Sequence, residues 1–247
     1  MASHSSVDIL GVRVDNVTTS EALTILEEFV AQGVPHQVVT VNPEFVMRAQ
    51  RDSAFRVVLA GADLAIPDGQ GLLWAARRLG RPLRERVAGA DLLPLIARTS
   101  AGQGYRLFLL GAAPGVAERA AAVLTEQNPG LRIVGTYAGS PDPSEDEALV
   151  ARVRSASPDF LFVAYGAPQQ DLWIHRNLHR LGVPVCIGVG GAFDFIAGVV
   201  PRAPLWMREQ GLEWLYRLVR QPWRWRRMLA LPRFVWHVLR CRWKGAP

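Results

Sequence analysis

DFLFVAYGAPQQDLWIHRNLHRLGVPVCIGVGG, residues 159–191, decides the fold. DFLFVAYG reads as a buried strand, PQQDLWIHRNLHRLG as a helix and VPVCIGVGG as a second strand. The same alternation extends upstream. HQVVTV (36–41) is an apolar, β-branched run followed by Asn-Pro and the helix-like PEFVMRAQ. ADLAIP (62–67) ends in Asp-Gly before GLLWAARRLG, and YRLFLLG (105–111) precedes AAPGVAERAAAVLTEQ. LRIVGTY (131–137) is followed by SPDPS and the acidic helix SEDEALVARVRSA. Short apolar strands alternating with helices of about 10–15 residues predict an α/β fold, a Rossmann-like, mainly parallel sheet flanked by helices.

Charge divides the chain. Glu213 is the last acidic residue, and residues 214–247 carry nine Lys and Arg. The chain holds 28 basic and 22 acidic residues, so residues 1–213 keep 19 against 22, a net −3. A mildly acidic body with one basic end argues against a general nucleic-acid binder, which spreads basic residues over its folded face. The expected division is an α/β catalytic domain over 1–199 and a helical, amphipathic appendage over 200–247. Cys186 and Cys241 form neither a disulfide framework nor a metal spacing, which favours a reducing compartment. MASHSSVDILG lacks the charged and apolar regions of a signal peptide. GVPVCIGVGGAFDFIAGVV (182–200) contains Asp194 and many glycines and reads as strand plus loop, not as a membrane span.

In a parallel sheet the ligand crevice lies beyond the carboxyl ends of the strands. The residues there include Thr40, Asn42, Asp68, Gln170 and the glycines of GVGG (188–191). Asp68 has two readings: a turn or helix cap, or a carboxylate in a cleft that takes a proton from a sugar hydroxyl. Asn42, in Asn-Pro-Glu, is equally a helix start or a ligand-binding side chain, and Thr40 shares the ambiguity. Arg86, just before a predicted helix, is either a surface residue or a phosphate ligand. FLLGAAPGVAERAA suits a phosphate at a helix N-terminus but lacks the full dinucleotide fingerprint. There is no Asp-x-Asp beside an apolar strand, and the five histidines show no metal-ligand spacing. No metal and no cofactor are therefore expected, and arginine or lysine must neutralise any leaving phosphate.

These clusters together resemble the WecG/TagA/CpsF family of bacterial glycosyltransferases (family 26). The resemblance rests on VTVNPEFVMRAQ, ADLAIPDGQGLLWAAR, RVAGADLL, FLLGAAPGVAERAA, YGAPQQDLWI, GVGGAFDFIAG and RAPLWMREQGLEWLYRLVRQPWRWRR, in order from about residue 38 to 227. It implies an inverting transfer of a sugar from a UDP-activated donor to an undecaprenyl-diphosphate-linked acceptor, in teichoic acid, common antigen or exopolysaccharide assembly. N-acetylmannosamine, its uronic acid and glucose are all donor sugars within the family. The resemblance implies that Asp68 is the catalytic base and that Thr40, Asn42, Arg86 and Gln170 line the substrate pocket. It further implies that Arg217, Arg224 and Arg227 of the appendage complete the site when the appendage meets the membrane. In the family's GxPKQExW stretch this chain has Gln169 for the lysine and Asp171 for the glutamate, and keeps Trp173; no role transfers to position 169.

PWRWRRMLALPRFVWHVLRCRW (222–243) holds six arginines, four tryptophans and no acid. On a helical wheel Trp225, Met228, Leu229, Pro232, Trp236, Leu239 and Trp243 fall at steps of three and four. Arg226, Arg233 and Arg240 recur on another face. That composition predicts a segment lying in the headgroup layer on the cytoplasmic face of a bacterial plasma membrane, so a peripheral protein. Pro222 and Pro232 are expected to divide it into short helices. Arg217, Arg220, Arg224 and Arg227 are expected to face the diphosphate. The alternative for this segment is packing of its Trp face onto the body. For the whole chain, the alternatives are a nucleic-acid-binding protein using the Arg/Trp tail and a nucleotide-dependent sugar oxidoreductase or epimerase. Oligomeric state, a homo-oligomer included, stays open.

Overall fold

The computed structural model describes residues 4–220, 222 and 225–244. It opens with an antiparallel hairpin, β1 (Ser6–Ile9) and β2 (Val12–Asp15), turned through Leu10 and Gly11, both at positive φ. Helix α1 (Thr19–Gln32) follows and is closed at its start by a Thr18/Glu21 capping box. The alternation then begins with β3 (His36–Val41), α2 (Pro43–Ala49), α3 (Ser53–Gly61) and β4 (Leu64–Pro67). It continues through α4 (Gln70–Arg78), α5 (Gly89–Gln103), β5 (Arg106–Gly111), α6 (Val116–Gln127) and β6 (Arg132–Tyr137). α7 (Asp146–Ala156), β7 (Phe160–Ala164), α8 (Gln169–Leu181) and β8 (Val185–Gly188) complete it. Five helices follow: α9 (Ala192–Ile196), α10 (Leu205–Glu209), α11 (Glu213–Arg220), α12 (Trp225–Met228) and α13 (Ala230–Lys244).

β3 to β8 form one six-stranded sheet in the order β4-β3-β8-β7-β5-β6, with every pairing parallel. This is the α/β architecture expected from the alternation. Strand residues point to alternate faces. Val38, Leu64, Leu107, Phe160 and Ile187 pack on one face with α1, α5, α6 and α9. Val39, Val41 and Ala65 pack on the other with the hairpin, α2 to α4 and α13. Phe108, Leu161 and Cys186 continue that second face under α7 and α8. The edge strand β4 is closed by the hairpin: the Ala65 N–H donates to the buried Asp15 carboxylate at 2.7 Å.

The C-terminal segment docks, but not by its tryptophan face. Phe234 and Val238, one turn apart on α13, are buried in the cluster that holds Phe45, Phe55 and Leu72. Trp225, Leu229, Trp236 and Leu239 remain exposed. Packing of the Trp face onto the body is thereby corrected: the smaller apolar stripe makes the contact. Pro232 does not divide the helix either. It occupies the first turn of α13, where a missing N–H costs no hydrogen bond, and the interruption falls at Leu229.

Candidate active site

The carboxyl ends of β3, β4 and β8 lie side by side, and glycines let their following segments close on one another. The Asp68 N–H donates to the Val41 carbonyl at 2.7 Å, so the β4 end is tied directly to the β3 end. The N-cap of α4 is Gly69, at φ +133°, and no side chain caps that helix. Asp68 is half-buried at the strand's end, one residue before that N-cap. A Cβ on Gly71 would lie 2.7 Å from Pro43 Cγ. Only glycine lets the α4 N-terminus sit against the α2 N-terminus, which brings Asn42 and Asp68 to one place. Asn42 does cap its helix: its Oδ1 accepts from the Phe45 N–H at 3.0 Å, leaving the amide NH2 as its other polar group.

Thr40 is buried, and its Oγ1 donates to the Gly188 carbonyl at 3.3 Å, joining the ends of β3 and β8. Gln170, also buried, accepts from the Gly190 N–H through Oε1 at 2.9 Å. A Cβ on Gly188 would lie 2.5 Å from Gln170 Nε2 and 2.7 Å from Asp171 Oδ1. The GVGG loop is therefore pressed onto the start of α8, and Thr40 and Gln170 each bond to its backbone. Asp171 is fully buried behind this loop with neither carboxylate oxygen in a hydrogen bond. Burial pushes its carboxyl up to about 7; the nearby Gln170 amide and its own backbone offset only part of that.

Arg86 enters from the other flank. The Val87 N–H donates to the Pro67 carbonyl at 2.8 Å, which sets Arg86 beside the end of β4. A Cβ on Gly89 would lie 2.9 Å from Thr40 Cγ2, so the first turn of α5 also abuts the site. Arg86 lies 3.3 Å from Asp91 and 3.7 Å from Glu213. Two arginines not foreseen from sequence join the same acids. Arg202 reaches Asp91 at 2.6 Å and Glu213 at 4.0 Å, and Arg208 reaches Asp91 at 3.6 Å. The buried Nε and Nη2 of Arg202 and Nε of Arg208 have no hydrogen-bond partner. Buried guanidinium N–H groups left unsatisfied are costly, and a phosphate would satisfy them. No periodicity connects positions 202 and 208; the Pro201–Pro204 stretch and the short α10 bring them together. A signal was present only in RAPLWMREQGLEW, whose arginines and Glu213 crowd twelve residues.

Of the appendage arginines, Arg227 reaches the body at Glu44. Its Nε and Nη2 donate to the two carboxylate oxygens at 2.7 and 3.0 Å. Glu44 is two residues past Asn42, so Arg227 stands at the rim of the site. Arg220 lies over the Tyr216 ring, 5.6 Å from its centroid. Arg224 and the side chain of Arg217 lie outside the described residues. A Cβ on Gly211 would lie 2.8 Å from Gln70 Cγ, so the segment leading into α11 rests on the start of α4.

A carboxylate at a strand end, a glycine loop and clustered guanidinium groups suit transfer of a group from a phosphate-activated donor; the enzyme is a hexosyltransferase. The chain belongs to the WecG/TagA/CpsF family of glycosyl transferases, whose model matches residues 7–247. It is 35% identical to an N-acetylglucosaminyldiphosphoundecaprenol N-acetyl-beta-D-mannosaminyltransferase of Bacillus subtilis strain 168, over 87% of this chain and 83% of the relative. A protein of the same name from Bacillus spizizenii strain W23 is 35% identical over 92% of this chain and 88% of its own. Another, from Staphylococcus aureus strain MW2, is 32% identical over 97% and 94%.

Proposed function

We propose that this enzyme transfers N-acetylmannosamine from its UDP-activated form to an N-acetylglucosaminyl-diphosphoundecaprenol acceptor, with inversion, in teichoic acid synthesis. The names of its relatives support the sugar and the acceptor. The observation that carries the mechanism is that the Val87–Pro67 bond sets Arg86, and the Asp91 and Glu213 group it shares with Arg202 and Arg208, against the strand end that carries Asp68. Asp68 accepts the proton of the attacking acceptor hydroxyl. As that oxygen bonds to the anomeric carbon, the bond from this carbon to the β-phosphate oxygen breaks on the opposite face. Its electron pair leaves with UDP. Guanidinium groups take up the charge through paired, charge-assisted hydrogen bonds, so the mechanism needs no metal. Thr40 and Gln170 shape the loop against which the sugar lies, and the Asn42 amide offers it donors.

The appendage over 200–247 brings this chemistry to the lipid, at the inner face of the plasma membrane. Among the described residues, nine of the thirteen exposed large hydrophobic side chains fall between Trp206 and Leu239, four of them tryptophans. That concentration favours a surface that meets a bilayer. No helix among the described residues is long and apolar enough to cross one. In this reading Arg217, Arg224 and Arg227 close over the diphosphate when the lipid is engaged. The decisive assay sets a panel of UDP-sugars against a short-chain lipid-diphosphate acceptor. The expected product forms from UDP-N-acetylmannosamine alone and carries a β linkage by NMR. An α linkage overturns inversion; faster transfer from UDP-glucose overturns the sugar.

A further inference from the structure

Between the α2–α3 turn and the start of α13 lies a cavity of about 620 Å³. Four arginines line it: Arg48 and Arg51 from the body, Arg227 and Arg233 from the C-terminal helices. Two carboxylates offset them. Arg48 pairs with Asp52 at 3.2 Å, and Arg227 pairs with Glu44. Arg51 and Arg233 have no ion-pair partner among the described residues, so the cavity keeps two positive charges in excess. Gathering like charges around a hollow does nothing for folding, and the volume is that of a ligand site. The remaining lining is the Ser53 hydroxyl and three apolar side chains, Met47, Ala54 and Ala230. The helices that supply Arg227 and Arg233 also carry the exposed Trp225, Leu229 and Trp236.

We propose that this cavity binds the phosphate head of an acidic membrane phospholipid. The proposal rests on the membrane reading above and adds to it a defined phosphate site separate from the Arg86, Arg202 and Arg208 group. Phosphate would enter between Arg51 and Arg233, with the glycerol carbons over Met47 and Ala230. The exposed tryptophans would lie in the same headgroup layer.

Co-sedimentation of the full chain with three kinds of vesicle tests it: phosphatidylcholine alone, with phosphatidylglycerol, or with undecaprenyl diphosphate. The variant is Arg51→Ala/Arg233→Ala, two exposed residues without an ion-pair partner among the described residues, so their loss should leave the fold intact. The control is Arg132→Ala/Arg154→Ala, which removes the same charge from β6 and α7 near the opposite edge of the sheet. Loss of the cavity pair should weaken binding to phosphate-doped vesicles by about thirtyfold, a factor of about five per arginine. The control should stay within about twofold, being more than a screening length away. Loss on phosphatidylglycerol vesicles supports the site, and loss on undecaprenyl-diphosphate vesicles alone overturns it in favour of the acceptor. Equal binding by the cavity variant and the native chain, or an equal loss in the control, overturns the site and leaves the membrane reading standing. Native binding to no vesicle overturns both.

Discussion

Two groups of arginines flank the sheet, and they are built in opposite ways. Arg86, Arg202 and Arg208 crowd around Asp91 and Glu213 with only 17, 24 and 24% of their side chains exposed. Arg48 and Arg227, paired with Asp52 and Glu44, are 51 and 41% exposed, and Arg51 and Arg233 beside them are open as well. Two unit charges 4 Å apart interact by about 1 kcal/mol in water and about 4 kcal/mol at an effective dielectric constant near 20. The first group is therefore suited to charge that develops at one point in a transition state. The second is suited to a charged surface that is met and left again.

The largest effect tests the chemistry that the dry group serves. Asp68→Asn keeps size and shape and removes the proton acceptor, so kcat should fall by roughly 10²–10⁴ with the thermal transition unchanged. Activity near that of the native enzyme would leave the dry arginines without a reaction to assist. The next test concerns the wet side and separates the two faces of α13. Phe234→Ala empties a buried position and should cost about 3–5 kcal/mol in urea unfolding. Trp236→Ala, on the exposed face, should stay within about 0.5 kcal/mol while vesicle binding drops. A Trp236 variant as unstable as the Phe234 variant would mean that the tryptophan face is structural.

Asp171 gives a smaller effect of defined sign. Its folded-state carboxyl, pushed up to about 7, holds its proton more tightly than in the unfolded chain, where it titrates near 3.8. Between these values the folded state binds more protons, so this group's contribution makes stability fall as pH rises from about 4 to 7, then level off. Asp171→Asn mimics the protonated acid and should remove that slope, gaining about 2–4 kcal/mol at pH 8 and little at pH 4. Urea midpoints at the two pH values decide it; an equal change at both would place the group's titration elsewhere.

The parallel alternation was legible because buried strands and amphipathic helices differ in period, and 159–191 contains both. The β1–β2 hairpin was not, since its four-residue strands carry too short a pattern and SVDILGVRVD shows no Asn-Gly turn. The strand-end residues Thr40, Asn42, Asp68 and Gln170 were legible by position, because a parallel sheet dictates where loops converge, whereas Arg86, just before a helix, came only from the family resemblance. Their partners were not: nothing local says that Gln170 holds Gly190, or that Asn42 is also a cap. Arg202 and Arg208 escaped for the same reason, as they act only after the chain folds back on α5. On α13 the bulkiest stripe drew attention, whereas docking was settled by the shape of the body, which accepts Phe234 and Val238.

The smallest effect most sharply separates the two arginine groups. Arg202→Ala and Arg208→Ala should each lower kcat/KM for the UDP-sugar by about ten- to a hundredfold, the range for losing a charge-assisted hydrogen bond. Because both share Asp91, the double variant should lose less than the product of the single losses. Raising the salt from about 0.1 to 1 M shrinks the screening length from about 10 to 3 Å and should weaken vesicle binding strongly. With a soluble acceptor it should scarcely move kcat/KM, since the dry group is shielded from ions. A purely structural network tying α10 and α11 to α5 would behave otherwise. The single variants would then melt earlier while the folded fraction kept its kcat/KM. Donor kinetics and thermal melts on the same samples distinguish the two, and a drop in melting temperature without a change in kcat/KM removes Arg202 and Arg208 from the reaction.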